Sequence, residues 1–344
     1  MKKLYAMVVL CLIWITPAAS QTKTDKDRDE LVGPVKSVKA YFTEFVRKDN
    51  GIVEEWRWPL HFTTYNTEGN ISALDSYDRS GAIIERLVHT YDANGHSTGY
   101  EEYPALLDKN LTVPRHHVYK LNEEGRRVEY TVFELNGSIA TRFIYKYDTK
   151  GNLIEEQWFT HTGKLGGRTV YTFDEQGNQT SQMSYREDGA LNWKTFSKYD
   201  ANGNKTEWIQ YYGNTLKYKT LFSYDSKGRI LVRELIEFNK TPGVFPHAPV
   251  PGKVVYTYDD DKRTKEEATY EADGTLRLKV VHTYDERKNE IGVSAVYTVD
   301  SRKLSEAVLI NIEYDSHGNW TRKTRLTQKD GPPAQEELRV ITYY

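Results

Sequence analysis

Tyr147-Asp148-Thr149-Lys150-Gly151-Asn152 is a phrase that this chain keeps repeating. It returns as Phe173-Asp174-Glu175-Gln176-Gly177-Asn178 and as Tyr199-Asp200-Ala201-Asn202-Gly203-Asn204. Looser copies start at Tyr65, Tyr91, Leu121, Tyr224, Tyr258, Tyr284 and Tyr314, in steps of 26, 30, 26, 26, 26, 25, 34, 26 and 30 residues. A fixed period of this size marks a repeat array, and it outranks any single-residue signal.

The phrase has the chemistry of a hairpin turn. Aspartate at its first turn position can cap the turn through its side chain, and glycine at the fourth can adopt positive φ. Together they spell a type I turn closed by a glycine bulge. The structural pairs are Asp92 and Gly95, Asp148 and Gly151, Asp174 and Gly177, Asp200 and Gly203, Asp225 and Gly228, and Asp315 and Gly318. Two copies, Asp260-Asp261-Lys262-Arg263 and Glu286-Arg287-Lys288-Asn289, lack the glycine, so distorted turns are expected there. A weaker second turn follows twelve residues on, at Gly81, Gly137, Gly163, Gly189 and Gly274. Each unit therefore holds two strands and two turns.

Between turns the residues alternate as strands do. One face carries His89 and Tyr91, then Phe143, Tyr145 and Tyr147, then Tyr256 and Tyr258. The other face is polar beside the turn (Thr90, Lys146, Lys198) and apolar deeper in (Val88, Ile144, Val170, Phe196). Eight residues after the turn glycine comes an aromatic: Tyr77, Tyr103, Phe133, Phe159, Tyr185, Tyr211 and Tyr270. These predict aromatic ladders in an antiparallel sheet. About ten two-strand units give roughly twenty strands in meander order, more than an open twisted sheet holds flat. The expected fold is all-β: tandem antiparallel hairpins forming a long meander sheet curled into a superhelix, a half-shell or a wide barrel, aromatic face inward. Terminal strands are expected to act as caps that blunt the edges.

Lys2 and Lys3, the apolar run from Ala6 to Ile15, and Ala18 with Ser20 read as a signal peptide over 1–20, with the mature chain starting at Gln21. The apolar run is too short to span a bilayer. Cys11 leaves with it, so no disulfide is expected in an exported chain. Removing the two leader lysines takes Lys+Arg from 47 to 45 against 49 acids, a net charge of −4 with no basic run. Nucleic acid is accordingly not an expected partner. Residues 21–64 read as a lead-in and N-terminal cap strands, with Trp56-Arg57-Trp58-Pro59 departing from the repeat. Residues 65–344 read as the repeat domain, ending on a closing strand. Insertions at Pro104–Val113 and Thr241–Gly252 are proline-bearing and predict loops.

The Y-D-x-x-G-N phrase at this period resembles the YD repeat of the rearrangement-hotspot (RHS) family, wall-associated bacterial proteins and teneurins, over about Tyr65 to Asn319. The resemblance implies a β-rich repeat scaffold, which in large members is a spiralling shell enclosing a toxin. Here neither an Asp-Pro cleavage segment nor a downstream effector domain follows, which makes a short stand-alone exported protein the expectation.

Little in the chain spells catalysis. Each turn offers one carboxylate where calcium would need six or more oxygens, so the turn aspartates read as caps and no metal is expected. The neighbours His116 and His117 point to opposite faces if they lie in a strand, and His89 and His282 stand where other repeats have interior aromatics. No nucleophile elbow, zinc-protease motif or phosphate loop is present, so no enzymatic activity and no cofactor are expected. Trp158 and Trp208 share a strand face by parity, two repeats or about 19 Å apart at a strand spacing of about 4.8 Å. With Tyr100 and Tyr130 they form either an exposed platform for stacking on a ligand or, if that face is covered, ordinary packing. The leading expectation is a non-enzymatic exported scaffold binding a glycan or an envelope protein. The alternatives are a small shell or accessory for a secreted toxin or polypeptide, and a glycan-active hydrolase.

Overall fold

The computed structural model describes residues 24–47, 53–104, 114–238, 251–299, 302–326 and 333–344. The signal-peptide reading and nearly all of the two proline-bearing insertions lie outside these residues. The described residues form one short helix, α1 (Asp25–Arg28), and 22 strands, from β1 (Val35–Arg47) to β22 (Pro333–Tyr343). Every strand pairs antiparallel with its neighbour in sequence, in a single 22-stranded sheet. The sheet closes because β1 also pairs with β22, from Val35 opposite Tyr343 to Glu44 opposite Gln335.

The phrase builds its turn as its chemistry demands. The Gly151 N–H donates to the Asp148 carbonyl over 3.0 Å, and Asp148 N–H donates to the Asn152 carbonyl over 2.9 Å. One carboxylate oxygen of Asp148 accepts from the N–H groups of Lys150 and Asn152. Gly151 sits at φ +88, where a side chain would be strained. The sixth residue has a role as well: the Asn152 side-chain amide donates back to Asp148 over 2.9 Å, and Asn178 and Asn204 repeat this. Each such turn leaves a register shift beside the phrase aromatic, as between Lys146 and Tyr147. Bulges of this kind bend and twist a strand. Recurring around the meander, they supply the stagger that lets a sheet close on itself.

The tyrosine of the phrase ties each repeat to the one before. The hydroxyls of Tyr147, Tyr199 and Tyr224 donate to the carbonyls of Arg127, Gln179 and Lys205, over 2.7, 2.8 and 2.7 Å. Each acceptor is the first residue after the preceding repeat's turn.

Two turns lack the glycine and solve the problem differently. Lys288 takes the glycine's place at φ +64 and keeps the turn, donating to the Asp285 carbonyl over 3.1 Å. At Asp260 to Arg263 the bulge disappears, and β16 (Gly252–Asp259) runs onto β17 (Thr264–Tyr270) in unbroken register. A left-handed non-glycine residue costs about 1–2 kcal/mol, part of which glycine's freer unfolded chain takes back. Lys288→Gly is therefore expected to stabilise the protein by about 0.5–1 kcal/mol. An unchanged or lower urea midpoint would show that no strain is stored there.

The N-terminal cap reading requires a correction. β1 and β2 (Val53–Tyr65) are full members of the barrel, and the terminal strands cover no edge because none is left. Pro59 sits inside β2 where the β1–β2 register shifts between Ala40 and Tyr41. An irregularity is where proline's missing N–H is tolerated. The charged lead-in is ordered across the seam. Lys26 N–H donates to the Gly69 carbonyl of the first phrase turn. Val32 exchanges two hydrogen bonds with Asn319 of the last, over 2.7 and 2.8 Å. Beneath it lies the hydrophobic cluster of the described residues: Leu31, Val35, Val38 and Tyr65, with Ile71, Ile341 and Tyr343 packed on them. Elsewhere most residues of the wall are half-buried, so the barrel is a shell held by its ladders.

Candidate functional site

Residues opposite one another in a ladder share a face, which sorts the barrel wall into inside and outside. Tyr145 pairs with Glu156, and burial pushes the pKa values of both groups up. Tyr171 is likewise pushed up to about 12 by burial. This is the concave face, and it carries the phrase tyrosines. The adjacent pair Lys146 and Glu155 faces outward with an ion pair of 3.1 Å. The outer wall repeats that pattern in Lys120–Glu129, Lys198–Glu207 and Lys279–Glu266, at 3.0, 2.8 and 2.8 Å. The second aromatic set is also outside, under cations: the Arg142 guanidinium lies 5.1 Å from the Phe159 ring centroid and that of Arg168 4.7 Å from Tyr185. Val118 and Phe196, 44% and 36% exposed, are outer-wall residues too.

Inside, the pairing lines aromatic rings up across six consecutive strands from β4 (Ile83–Tyr91) to β9 (Leu153–Thr160). His89 lies 5.6 Å from Tyr100, Tyr100 stacks on His117 at 4.1 Å and 11°, and His117 follows with Tyr130 at 5.9 Å. Tyr130 stacks on Phe143 at 5.6 Å and 16°, and Phe143 is opposite Trp158. Tyr119 meets both Tyr100 and Tyr130 edge-on. The Arg127 guanidinium lies 3.5 Å from the Tyr119 ring centroid. Offset and edge contacts of this kind fix the rings beyond what burial alone provides.

A polar chain threads this band. His117 is 7% exposed. Its Nε2 lies 2.9 Å from Glu102 and its Nδ1 2.7 Å from the Tyr130 hydroxyl. The carboxylate only accepts, so Nε2–H donates to it and Nδ1 accepts from the Tyr130 O–H. Burial lowers the His117 pKa against the opposing pull of Glu102, which keeps this neutral tautomer. Tyr100 is raised by burial and by its hydrogen bond to Tyr130. The network is satisfied internally, so it holds the rings in place.

Trp158 ends the band. It is 41% exposed yet inside the barrel. Its indole lies over Gly166 and Gly167 of β10 (Leu165–Phe173), where an added Cβ would stand 2.2 Å and 2.7 Å from the ring. One face of the ring thus rests on glycine backbone, which leaves the rest open to the lumen. Trp208 is on the same concave face, opposite Ser197 and Thr220. It is not in the same row. Trp158's row crosses β11 (Gln179–Arg186) at Arg186, whereas Trp208's passes near Ser181, five residues or about 17 Å lower. Tyr100, Tyr130 and Trp158 are therefore brought together and Trp208 stands apart.

Sequence reasoning placed Phe143 on the tyrosine face but missed Glu102 and the Gly166-Gly167 floor. Two adjacent glycines within a strand do signal a close approach, but nothing local says that an indole makes it. His116 and His117 point to opposite faces, toward Glu101 at 3.7 Å and Glu102. Among the described residues no group of three or more histidines, cysteines or acids is placed to hold a metal ion.

No protein-family model matches this chain, and none of the curated proteins matches it. Among solved structures it is similar to a chain of the TcdB2-TccC3-Cdc42 complex, at 13% identity and a TM-score of 0.31 over 85% of this chain. It spans 18% of that chain's length. It is also similar to porin-like proteins from Bacteroides uniformis (8% identity, 90% and 99% of the two chains, TM-score 0.33) and Bacteroides vulgatus (9%, 90% and 98%, 0.21). These likenesses are too loose to transfer any property.

Proposed function

We propose that the protein is a non-enzymatic exported receptacle of the YD-repeat type, acting at the bacterial envelope, whose lumen takes up an extended glycan or peptide. The observation that carries this reading is the aromatic band from His89 to Trp158, closed by an indole whose open face looks into the lumen. A run of fixed rings with hydroxyl tips offers stacking and hydrogen bonding to a chain-like ligand at little cost in side-chain entropy. The leader-like residues 1–20 support export. The outer wall suits water: a Lys or Arg facing hydrocarbon at mid-depth would cost about 2–4 kcal/mol, and ion pairs recur around this wall. Closure of the sheet also suits a small shell around a polypeptide segment.

The test is retention of the full-length mature protein on immobilised cell-wall polysaccharides and on unstructured peptides. Trp158→Ala is expected to weaken binding about three- to tenfold, the worth of one aromatic contact. Gly166→Ala should do the same by displacing the ring without touching the ligand, while Trp208→Ala leaves binding unchanged. Equal retention of wild type and Trp158→Ala, or no retention of wild type on either matrix, would remove the band as the site.

A further inference from the structure

Closure leaves the ring itself without edges, but the hairpin of β1 and β2 rises past its rim. β2 is paired with β1 from Thr64 to Val53. On its other side, β3 (Ile71–Tyr77) reaches only from Tyr65 to His61. Beyond that, no described strand or backbone group bonds to the outer side of Val53 to Trp58. At the rise of an extended strand this is roughly 20 Å of bare edge. It starts past Pro59, where the turn that follows β3 lies against β2: the Arg79 guanidinium is 4.8 Å from the Trp58 ring centroid.

Natural sheet edges are blunted with lysines, with proline or with a covering segment. This one ends at a proline but carries Glu55, Trp56 and Arg57 in succession. Trp56 is 60% exposed. It shares the face of Phe42, Glu44 and Trp58. A hollow of about 370 Å³ lies on that face, among Val46, Trp56, Trp58 and Arg79. On the opposite face Arg57 donates to Thr43 and Glu336 over 3.0 and 3.1 Å, and it lies 2.9 Å from Glu55. Both charges are therefore held in the wall beside the bare edge, one of each sign.

We propose that this edge joins two copies of the chain, their β2 strands pairing antiparallel about a two-fold axis at Trp56. Residues that face each other across a continued sheet share a face, so the axis falls on a residue and not between two. An axis at Glu55 sets the two glutamates against each other, and an axis at Arg57 does the same to the arginines. An axis at Trp56 puts Glu55 opposite Arg57 of the second copy, twice over, and brings the two indoles together beside the hollow. Opposite charges across a strand pair stabilise it and like charges oppose it, so the edge is complementary to itself in one register. The stretch is short, which makes the interface a weak and reversible one, below the standard size.

Sedimentation equilibrium of the full-length mature protein across the micromolar range tests this, and a monomer–dimer equilibrium is expected. Trp56→Ala should weaken it about tenfold, as the loss of a central aromatic contact does. Glu55→Arg sets arginine against arginine, and Arg57→Glu sets glutamate against glutamate, so each variant alone should be monomeric. Mixed in equal amounts, the two should dimerise again, because each then meets the opposite charge in the other. A strand that merely needed these side chains to fold would not recover on mixing. If Arg57→Glu fails to fold, Glu55→Arg beside Glu55→Gln still decides, since the first should abolish the dimer and the second only weaken it. Trp158→Ala should leave the association unchanged, which separates it from the lumenal band. A wild type that stays monomeric throughout, a dimer indifferent to Glu55→Arg, or folded charge-reversed variants that stay monomeric when mixed would overturn the proposal.

Discussion

A chain that lacks residues 333–344 is expected to lose its cooperative melt and to aggregate. β22 pairs along one side with β1 and along the other with β21 (Trp320–Leu326), so its removal unzips two ladders at once. It also takes Ile341 and Tyr343 out of the hydrophobic cluster and the Tyr343 hydroxyl away from Asn319. Each lost backbone bond costs about 0.5–1.5 kcal/mol. The nine paired positions with β1 alone therefore rival a typical total stability of about 5–15 kcal/mol. Two long bare edges then remain, and exposed edges template association. Size-exclusion chromatography and a thermal melt decide it. A monodisperse variant melting like the wild type would mean that the seam does not hold the barrel.

Gly99→Val is expected to be the most damaging single substitution, at about 3 kcal/mol or more. Gly99 lies in β5 (Ser97–Pro104) at φ +149, in the region that L side chains avoid, and an added Cβ would stand 2.0 Å from the His117 carbonyl oxygen. Both objections, strain and clash with backbone, fall on the same atom. Because Tyr100 pairs with His117 across this junction, the aromatic band should be disturbed as well. Gly177→Ala is the matched control: φ is +86 but nothing lies within 4 Å of the new Cβ, so only the strain of about 1–2 kcal/mol applies. Melting temperatures of the two variants within a degree of each other would show that the close approach at Gly99 carries no weight.

The hairpins were legible because they are local. Asp148, Gly151 and their copies each spend their chemistry within five residues, and a reader needs only the period to find them. The same locality explains what stayed hidden. The partner of Ser37 is Thr342, and no rule of spacing connects residues so far apart. The two aromatic sets could be separated by parity, but parity does not say which is concave. The tyrosine of the phrase looked like packing, whereas Tyr147 also donates to a backbone carbonyl twenty residues earlier. For the site, Trp158 with Tyr100 and Tyr130 were readable as aromatic residues of one face. Their stack runs through His117 and Phe143, and the floor under Trp158 comes from the next strand. Lys288 marks the limit of composition reasoning, since the turn there survives without the residue that prescribes it.

The pairing of β1 with β22 also sets an order of events in time. Each hairpin needs only its neighbour, so strands can add one after another as the chain emerges. The ring, however, stays open until its last strand exists, because its first strand waits for a partner some three hundred residues away. Closing a loop of that length costs about (3/2)RT ln n, roughly 5 kcal/mol, before any contact repays it, and topologies dominated by distant pairings fold slowly. Growth by zipping spreads that entropy over many small steps and leaves one slow closure at the end. Until then, β1 and the newest strand are both unsatisfied. For a chain delivered N-terminus first, the interval between first strand and last is the period in which it is most exposed to misassembly.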